Sequence, residues 1–215
     1  GMDLSGMTRD EATAAISSYV SALGEKKVQL MSEDGGSVSV TAGALGLSWK
    51  NRGIVEEAVN LGRRGNIVAR YKAKEDLEHK GRDHEIELEF DRDAIAGVVE
   101  GQCGQFNREA VDAHLTRVNG SFEVEEGQTG YIVDEAASVS AIYDYMTGEW
   151  NHEDGSVLLA MTVDEPQGKA EDLLKVKDVL GTFTTSYSSS GNARSKNVAN
   201  GCDLIDGTTL YPGET

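Results

Sequence analysis

The sequence predicts an α+β fold in which small mixed and antiparallel sheets pack against helices, arranged as two related α+β subdomains. Three observations carry this prediction. Segments with helical spacing of apolar residues occur between short segments in which every second residue is apolar. The helices differ in length, and neighbouring strands are joined by glycine turns of the kind found in hairpins. A doubly wound parallel sheet would need more regular alternation of strand and helix.

The first predicted elements are a helix and two strands. Thr8 followed by Glu11 fits a capping box, in which the two residues satisfy backbone donors at a helix start. Apolar residues then recur at helical spacing until Gly24, which predicts a helix from about 9 to 23. Apolar and polar residues alternate on both sides of Gly35-Gly36, which predicts two short strands joined by a turn.

The following segment carries signals for both helix and strand. Apolar residues from Ile54 onward predict a second helix that ends at Gly62. The charged segment 72–83 is predicted to be a solvated loop. Strict alternation in Glu85–Phe90 predicts a strand, and Asp91 is placed to cap a short helix directly after it.

A similar order of elements recurs after residue 106, which indicates an internal duplication. The second passage is predicted to contain a helix at 107–118, a strand from Phe122 to a turn at Gly127–Gly130, a helix containing Ile142, a strand at 157–163 and a helix at 169–176. We therefore expect one α+β half at 1–105 and a second at 106–176. Residues 177–215 are expected to form a separate segment.

Composition limits the classes of partner. The chain has 215 residues, is 39% hydrophobic and carries a formal net charge of −17. Nucleic acid is excluded as a partner because phosphate binding requires a basic face. Anionic membrane surfaces are disfavoured for the same reason. No apolar run approaches the roughly twenty residues that a membrane helix needs.

Residues suited to catalysis or metal binding are sparse. Cys202 has no nearby histidine to activate its thiol, and no G-x-S-x-G elbow surrounds the serines of 186–190. His79 and His84 lie among acidic residues, but their spacing fits no zinc motif. The sequence therefore predicts no catalytic residue, no metal site and no cofactor. Cys103 and Cys202 are expected to be unpaired thiols rather than a disulfide.

The C-terminal residues resemble a known family. The residues that carry the resemblance are Leu180 to Tyr187 (including Thr185), Arg194, Asn197, Gly207, Pro212, Gly213 and Glu214. In this order they resemble the opening of a VanW-like domain of Gram-positive bacteria, cut off near its start. The resemblance implies that 177–215 is the truncated N-terminal segment of such a domain, whose family name refers to vancomycin resistance.

A second resemblance covers most of the remaining chain. Its motifs are Asp3 to Thr8, Glu11-Ala12, Gly65 to Tyr71 and the Gly127–Gly130 turn. They are similar in order to the peptidoglycan-binding domain that precedes VanW-like domains and some L,D-transpeptidases. This implies peptidoglycan as the partner and an extracytoplasmic place in the cell envelope. Gly1 before Met2 resembles a residue left by tag removal, so we expect an N-terminal membrane anchor to be missing from this chain.

Candidate ligand-binding residues follow from the chemistry of glycan and peptide. Trp49, Trp150 and Tyr71 are large aromatics that can stack on a sugar, and Arg70 can pair with a peptide carboxylate. The implied function is non-catalytic binding in the cell wall. The alternative is a structural spacer or protein-interaction domain that presents the VanW-like domain. A third idea is that the complete VanW-like domain is enzymatic, with Arg194 and Asn197 in its site.

Overall fold

The computed structural model describes residues 2–63, 65–119, 121–187, 191–206 and 208–211. The chain forms two compact units: unit 1 comprises Gly1–Phe106 and Val133–Met161, and unit 2 comprises Asn107–Ile132 and Thr162–Thr215. Helices and small separate sheets build the fold, which confirms the predicted α+β class. The two units are defined by compactness, whereas the predicted boundaries depend on an internal duplication. Those boundaries therefore stay predictions, for the halves at 1–105 and 106–176 and for the segment 177–215.

The secondary structure follows the chain in a mixed order. Its elements are α1 (Arg9–Gly24), β1 (Lys27–Met31), β2 (Ser37–Thr41), β3 (Ser48–Trp49), α2 (Ile54–Asn60), α3 (Ile67–Lys80), β4 (Leu88–Glu89), α4 (Arg92–Val98), β5 (His114–Val118), β6 (Ser121–Glu125), β7 (Gly130–Val133), α5 (Glu135–Asp144), β8 (Gly155–Leu158), β9 (Met161–Asp164), α6 (Ala170–Leu173) and α7 (Asn192–Ile205). Two helices continue as π-helical turns, α4 through Val99–Cys103 and α5 through Tyr145–Glu149.

The central sheet of unit 1 has the strand order β2-β1-β8. β1 is antiparallel to β2, with Leu30 opposite Val38, and parallel to β8, with Leu30 opposite Val157. The predicted hairpin of β1 and β2 is therefore confirmed. Alternation puts every second residue of β1 in the core, where Leu30 is fully buried together with Ile95 of α4 and Ile142 of α5. Each such side chain contributes about 1.5–3 kcal/mol through burial.

The start of α1 is formed by the predicted capping box. The backbone N–H of Glu11 donates to the Thr8 hydroxyl at 3.3 Å, and the backbone N–H of Thr8 donates to the Glu11 carboxylate at 2.8 Å. These bonds satisfy donors that the first helical turn leaves without partners. The helical face with Ala12 and Ile16 is buried against Trp49 and Val55, forming a second, smaller core in unit 1.

The strand predicted at Glu85–Phe90 is largely wrong, because only Leu88 and Glu89 form a ladder, with β3. The Asn51 side chain forms hydrogen bonds with backbone groups that would pair with a partner strand if β4 were longer. Its amide donates to the Glu85 carbonyl at 2.9 Å, and its carbonyl accepts from the Glu87 N–H at 2.9 Å. A side chain that satisfies the backbone in this way removes the need for a partner strand.

The strand predicted at 157–163 is interrupted, which corrects a second expectation. It forms β8 and β9 with Leu159 and Ala160 between them. The Ala160 N–H donates to the Ser138 hydroxyl at 3.0 Å, and the Ala160 carbonyl accepts from the Asp134 N–H at 2.9 Å. Both polar groups of Ala160 thus bond to residues at the start of α5. β9 pairs with β7 in a separate two-stranded sheet.

Unit 2 contains the antiparallel hairpin of β5 and β6, and this contradicts the helix predicted at 107–118. Within the predicted helix, Val111 bridges Gln128 and Arg108 bridges Tyr131, both antiparallel. Gly127 permits this pairing, since an added Cβ would lie 2.6 Å from the Val111 carbonyl oxygen. Backbone pairing therefore overrides a helical spacing that depended on few apolar residues. The helix predicted at 169–176 is shorter than expected, since α6 spans only Ala170–Leu173.

Candidate functional site

Trp49 does not offer its ring to a ligand. Its side chain is 5% exposed and packs in the small core with Ala12, Ile16 and Val55. Its indole N–H donates to the side-chain Oδ1 of Asn51 at 2.9 Å, which satisfies the only polar atom of the Trp49 side chain. The structure therefore corrects the expectation that Trp49 lies on a binding surface.

Trp150 has a similar structural environment in the larger core. It is 7% exposed, and its ring contacts Phe90 edge to face with centroids 5.7 Å apart. The indole N–H donates to the Glu153 carbonyl at 2.7 Å. With the ring enclosed and the N–H satisfied, Trp150 stabilises unit 1. This places it outside any surface groove, contrary to expectation.

Arg70 and Tyr71 lie on α3, which replaces the loop predicted at 72–83. Asn66 caps the helix by accepting from the Ala69 N–H at 2.8 Å. The helix ends at Lys80, and the next residue, Gly81, has a φ of 64° that favours glycine. The interior is rich in good helix formers such as alanine, lysine and glutamate. Sequence periodicity missed this helix because none of its residues is buried, so it has no apolar face turned to a core.

Four side chains of α3 form one continuous stripe. Ile67, Arg70, Tyr71 and Lys74 follow the i, i+3, i+4, i+7 spacing that puts residues on one side of a helix. Together with Gly62 they line a depression of about 280 Å³, and we name these five residues the α3 surface. Ile67 is 83% exposed and Tyr71 is 67% exposed. Large apolar side chains that stay in water at one place mark a binding surface more often than single ones do.

Gly62 sets the edge of the depression. Its φ is 73°, a conformation that side chains other than glycine rarely adopt. An added Cβ would lie 3.3 Å from the Lys74 Cγ and 3.9 Å from the Arg70 carbonyl oxygen. The segment before α3 therefore passes close to the helix at the same two residues that supply the positive charges of the α3 surface.

The charge of this region differs from that of the chain. Between Glu57 and Glu75 the sequence has no acidic residue, although the whole chain carries −17. The same stretch contains five basic residues, which are Arg63, Arg64, Arg70, Lys72 and Lys74. Within the described residues neither Arg70 nor Lys74 forms an ion pair. This run of basic residues is the sequence signal that would add Lys74 to the candidate site, whereas the place of Gly62 follows only from the structure.

The described residues of the VanW-like motif belong to unit 2. Thr185 and Tyr187 lie in an exposed segment without regular secondary structure, and Arg194 and Asn197 lie three residues apart on α7. Pro212 and Gly213 fall outside the described residues, as do Gly207 and Glu214. The spacing of Arg194 and Asn197 puts them on neighbouring positions of one helical face.

The remaining histidine, cysteine and carboxylate side chains were candidates for a metal site or a reactive thiol. In the described ranges, no three His, Cys, Asp or Glu side chains are grouped so that they could hold a metal ion. Cys103 is a buried free thiol, and burial raises its pKa, which disfavours the reactive thiolate. Cys202 is an exposed free thiol on α7. No helix within the described part of the chain has the length and apolarity to cross a bilayer.

Comparison with known families gives a match that includes the α3 surface. The family described as "Putative peptidoglycan binding domain" matches residues 38–152, more than half of the chain. No curated protein and no solved structure gives a significant match. The segment 177–215 lies outside the matched residues, so its resemblance to a VanW-like domain stays a prediction. The length of the family match shows that the chain belongs to this peptidoglycan-binding family.

Proposed function

We propose that the chain is a non-catalytic module that binds peptidoglycan through the α3 surface. The family match supports peptidoglycan as the partner. The observation that supports the place of binding is the exposed stripe of Ile67, Arg70, Tyr71 and Lys74 inside the matched region. An exposed tyrosine ring can stack on a sugar, and an arginine beside it can bond to carboxylate or hydroxyl oxygens.

Burial separates the two kinds of aromatic candidate. Trp49 and Trp150 each have one polar atom, and both atoms are bonded inside unit 1. Tyr71 is two-thirds exposed on a helix whose residues all remain in contact with solvent. Binding through Tyr71 thus requires no opening of a core, whereas binding through either tryptophan would.

The proposed cellular setting follows from the partner. Peptidoglycan lies outside the cytoplasmic membrane, so we place the chain on the outer face of a Gram-positive cell, attached through an N-terminal anchor. There it would position a VanW-like domain, whose opening residues are Thr185, Tyr187, Arg194, Asn197 and Pro212-Gly213. Wall binding beside that domain would account for the association of the family name with vancomycin resistance.

Co-sedimentation with purified insoluble peptidoglycan tests the proposal. We expect the chain to pellet saturably and Tyr71→Ala to weaken pelleting by about twofold to tenfold, since stacking of one ring contributes roughly 0.5–1.5 kcal/mol. Tyr19→Ala is the matched control, because Tyr19 is also exposed, at 39%, on another helix of unit 1. The supernatant should contain no released sugar or peptide, as expected for a module that does not cleave its ligand.

Two results would count against the proposal. Pelleting no greater than that of an unrelated protein of similar negative charge would favour the spacer or protein-interaction alternative. Equal loss of binding in Tyr71→Ala and Tyr19→Ala would show that the α3 surface is not the place of binding.

A further inference from the structure

The α3 surface contains two positive charges that repel each other. Arg70 and Lys74 stand at i and i+4, the spacing at which side chains on a helix are neighbours. Like charges at this spacing destabilise an isolated helix. No acidic side chain of the described residues pairs with either one. An anion held between the guanidinium and the ammonium would remove this repulsion.

Resting on the proposed function, we propose that Arg70 and Lys74 bind a free carboxylate of the wall peptides. The guanidinium has a planar pair of donors that matches the two oxygens of a carboxylate, and lysine adds a mobile point charge. Both groups border the same depression of about 280 Å³, so one carboxylate can contact both. The anionic groups of peptidoglycan itself are carboxylates, which distinguishes it from phosphate-bearing polymers attached to the wall.

The apolar members of the surface fit the rest of such a ligand. Ile67 and Tyr71 alternate with Arg70 and Lys74 along the stripe, and their side chains are 83% and 67% exposed. Peptidoglycan presents small apolar side chains next to its peptide carboxylates, and the sugar rings of its glycan strands present apolar faces. Ile67 therefore suits the peptide side chain, and Tyr71 suits the sugar.

Charge complementarity is local, because the remainder of the chain is strongly acidic. At a net charge of −17 the whole protein should be repelled by an anionic polymer. The basic stretch between Glu57 and Glu75 is where that repulsion is reversed. Binding should accordingly bring α3 into contact with the wall.

The test compares neutral variants at matched positions. Arg70→Gln and Lys74→Gln should each weaken pelleting with peptidoglycan by roughly fivefold to tenfold, the effect of losing one charge-assisted contact at an exposed site. Lys72→Gln is the matched control, since Lys72 lies on the same helix but two residues from Arg70, and residues two apart do not share a face. Lys72→Gln should change binding by less than twofold.

Chemical treatment of the peptidoglycan identifies the anion. Amidation of the wall carboxylates should weaken binding of the wild-type chain by more than the Arg70→Gln change alone does, and it should weaken Arg70→Gln or Lys74→Gln by less than it weakens the wild-type chain, because each variant has already lost one of the two contacts. Removal of phosphate-bearing polymers with hydrofluoric acid should leave binding intact. Salt added from about 0.05 M to about 0.5 M should weaken binding through screening.

Each outcome separates this inference from the proposed function. Binding that survives amidation and is equal in Arg70→Gln and Lys72→Gln would overturn the carboxylate site while leaving peptidoglycan binding intact. Loss of binding after hydrofluoric acid would overturn it in favour of phosphate. Absence of wild-type binding to every preparation would overturn the proposed function and the carboxylate site together.

Discussion

Ser138 offers a sharp test of the packing in unit 1. It is a buried serine on α5 with no exposed area. Its hydroxyl donates to the Ala160 carbonyl at 3.2 Å and accepts from the Ala160 N–H at 3.0 Å. The Ala160 carbonyl also accepts from the Asp134 N–H, so it keeps a partner without the serine. The Ala160 N–H would lose its partner in a Ser138→Ala variant.

The expected loss of stability follows from these contacts. Two hydrogen bonds at about 1 kcal/mol each are removed, and a partly buried N–H left unpaired adds up to about 1 kcal/mol. The better helix propensity of alanine offsets this loss in the free energy of unfolding by about 0.5 kcal/mol. The net decrease in the free energy of unfolding of unit 1 is therefore about 2 kcal/mol. With a urea dependence of about 2 kcal/mol per molar, the unfolding midpoint should fall by about 1 M.

Tryptophan fluorescence during urea unfolding measures this change in the correct unit, because Trp49 and Trp150 both belong to unit 1. Ser140→Ala is the matched control. Ser140 is exposed on the same helix, and its hydroxyl donates only to the Ala136 carbonyl one turn earlier, at 3.1 Å. Its replacement should leave the midpoint unchanged or raise it slightly. Equal midpoints for the two variants would refute the role assigned to the Ser138 hydroxyl.

Three further outcomes are expected. Gly130→Ala should destabilise unit 2 by at least about 2 kcal/mol, because an added Cβ would collide with backbone atoms. Exchange of the amide hydrogens of 107–132 should therefore become faster. Gly201→Ala is the control because no atom lies near an added Cβ there, and equal exchange in the two variants would contradict the prediction. In the folded chain a thiol reagent should modify Cys202 quickly and Cys103 only on unfolding, since burial raises the pKa of Cys103; two fast thiols would contradict this. The backbone hydrogen bond from Thr8 lowers the pKa of Glu11. The Glu11 carboxylate should therefore stabilise the folded chain above pH 4.5, and this stabilisation should be lost as the pH falls through the lower pKa of the folded state. An equal effect of Glu11→Gln on the urea midpoint at neutral and at strongly acidic pH would contradict this.

Short sequence patterns correctly predict the elements whose backbone groups form hydrogen bonds with residues nearby in the sequence. The capping box of Thr8 and Glu11 needs only residues of the first helical turn, so it could be recognised without tertiary structure. The hairpin of β1 and β2 was recognised from alternation and from Gly35-Gly36 for the same reason. In both cases the fold agrees with the local preference of the sequence.

Predictions failed where a distant side chain or backbone competes for the same polar groups. Asn51 bonds to the backbone of residues 85 and 87, which lie 34 and 36 positions away. The apolar alternation of Glu85–Phe90 is real, but it does not reveal that an amide will replace the partner strand. Similarly, the spacing of 107–118 does not reveal that the backbone at Gly127 will approach Val111 closely. In both cases the residue that bonds to or approaches the segment lies outside it in the sequence, so the apolar pattern of the segment itself cannot reveal the contact.

The candidate site was predictable in part, because family resemblance and periodicity carry different information. Arg70 and Tyr71 lie in the segment Gly65 to Tyr71, which carries the family resemblance, whereas most of α3 falls within the predicted loop at 72–83. A predicted loop has no helical spacing, so the sequence does not predict that Lys74 lies one turn beyond Arg70 on the same face. The tryptophans were selected for their chemistry alone, and only packing could show that both belong to cores.

The same packing decides which variants can test binding. Removing a buried tryptophan costs about 3–5 kcal/mol through lost burial and the cavity left behind, so a Trp49→Ala variant would lose binding whether or not the ring touches a ligand. Exposed positions such as Arg70, Tyr71 and Lys72 change stability by only about 0.5 kcal/mol. Because α3 buries none of its residues, a loss of binding confined to Arg70 and Tyr71 variants, with Lys72→Gln unaffected, reports on ligand contact and not on folding. The helix that periodicity could not recognise is for this reason the part of unit 1 where function can be separated from stability.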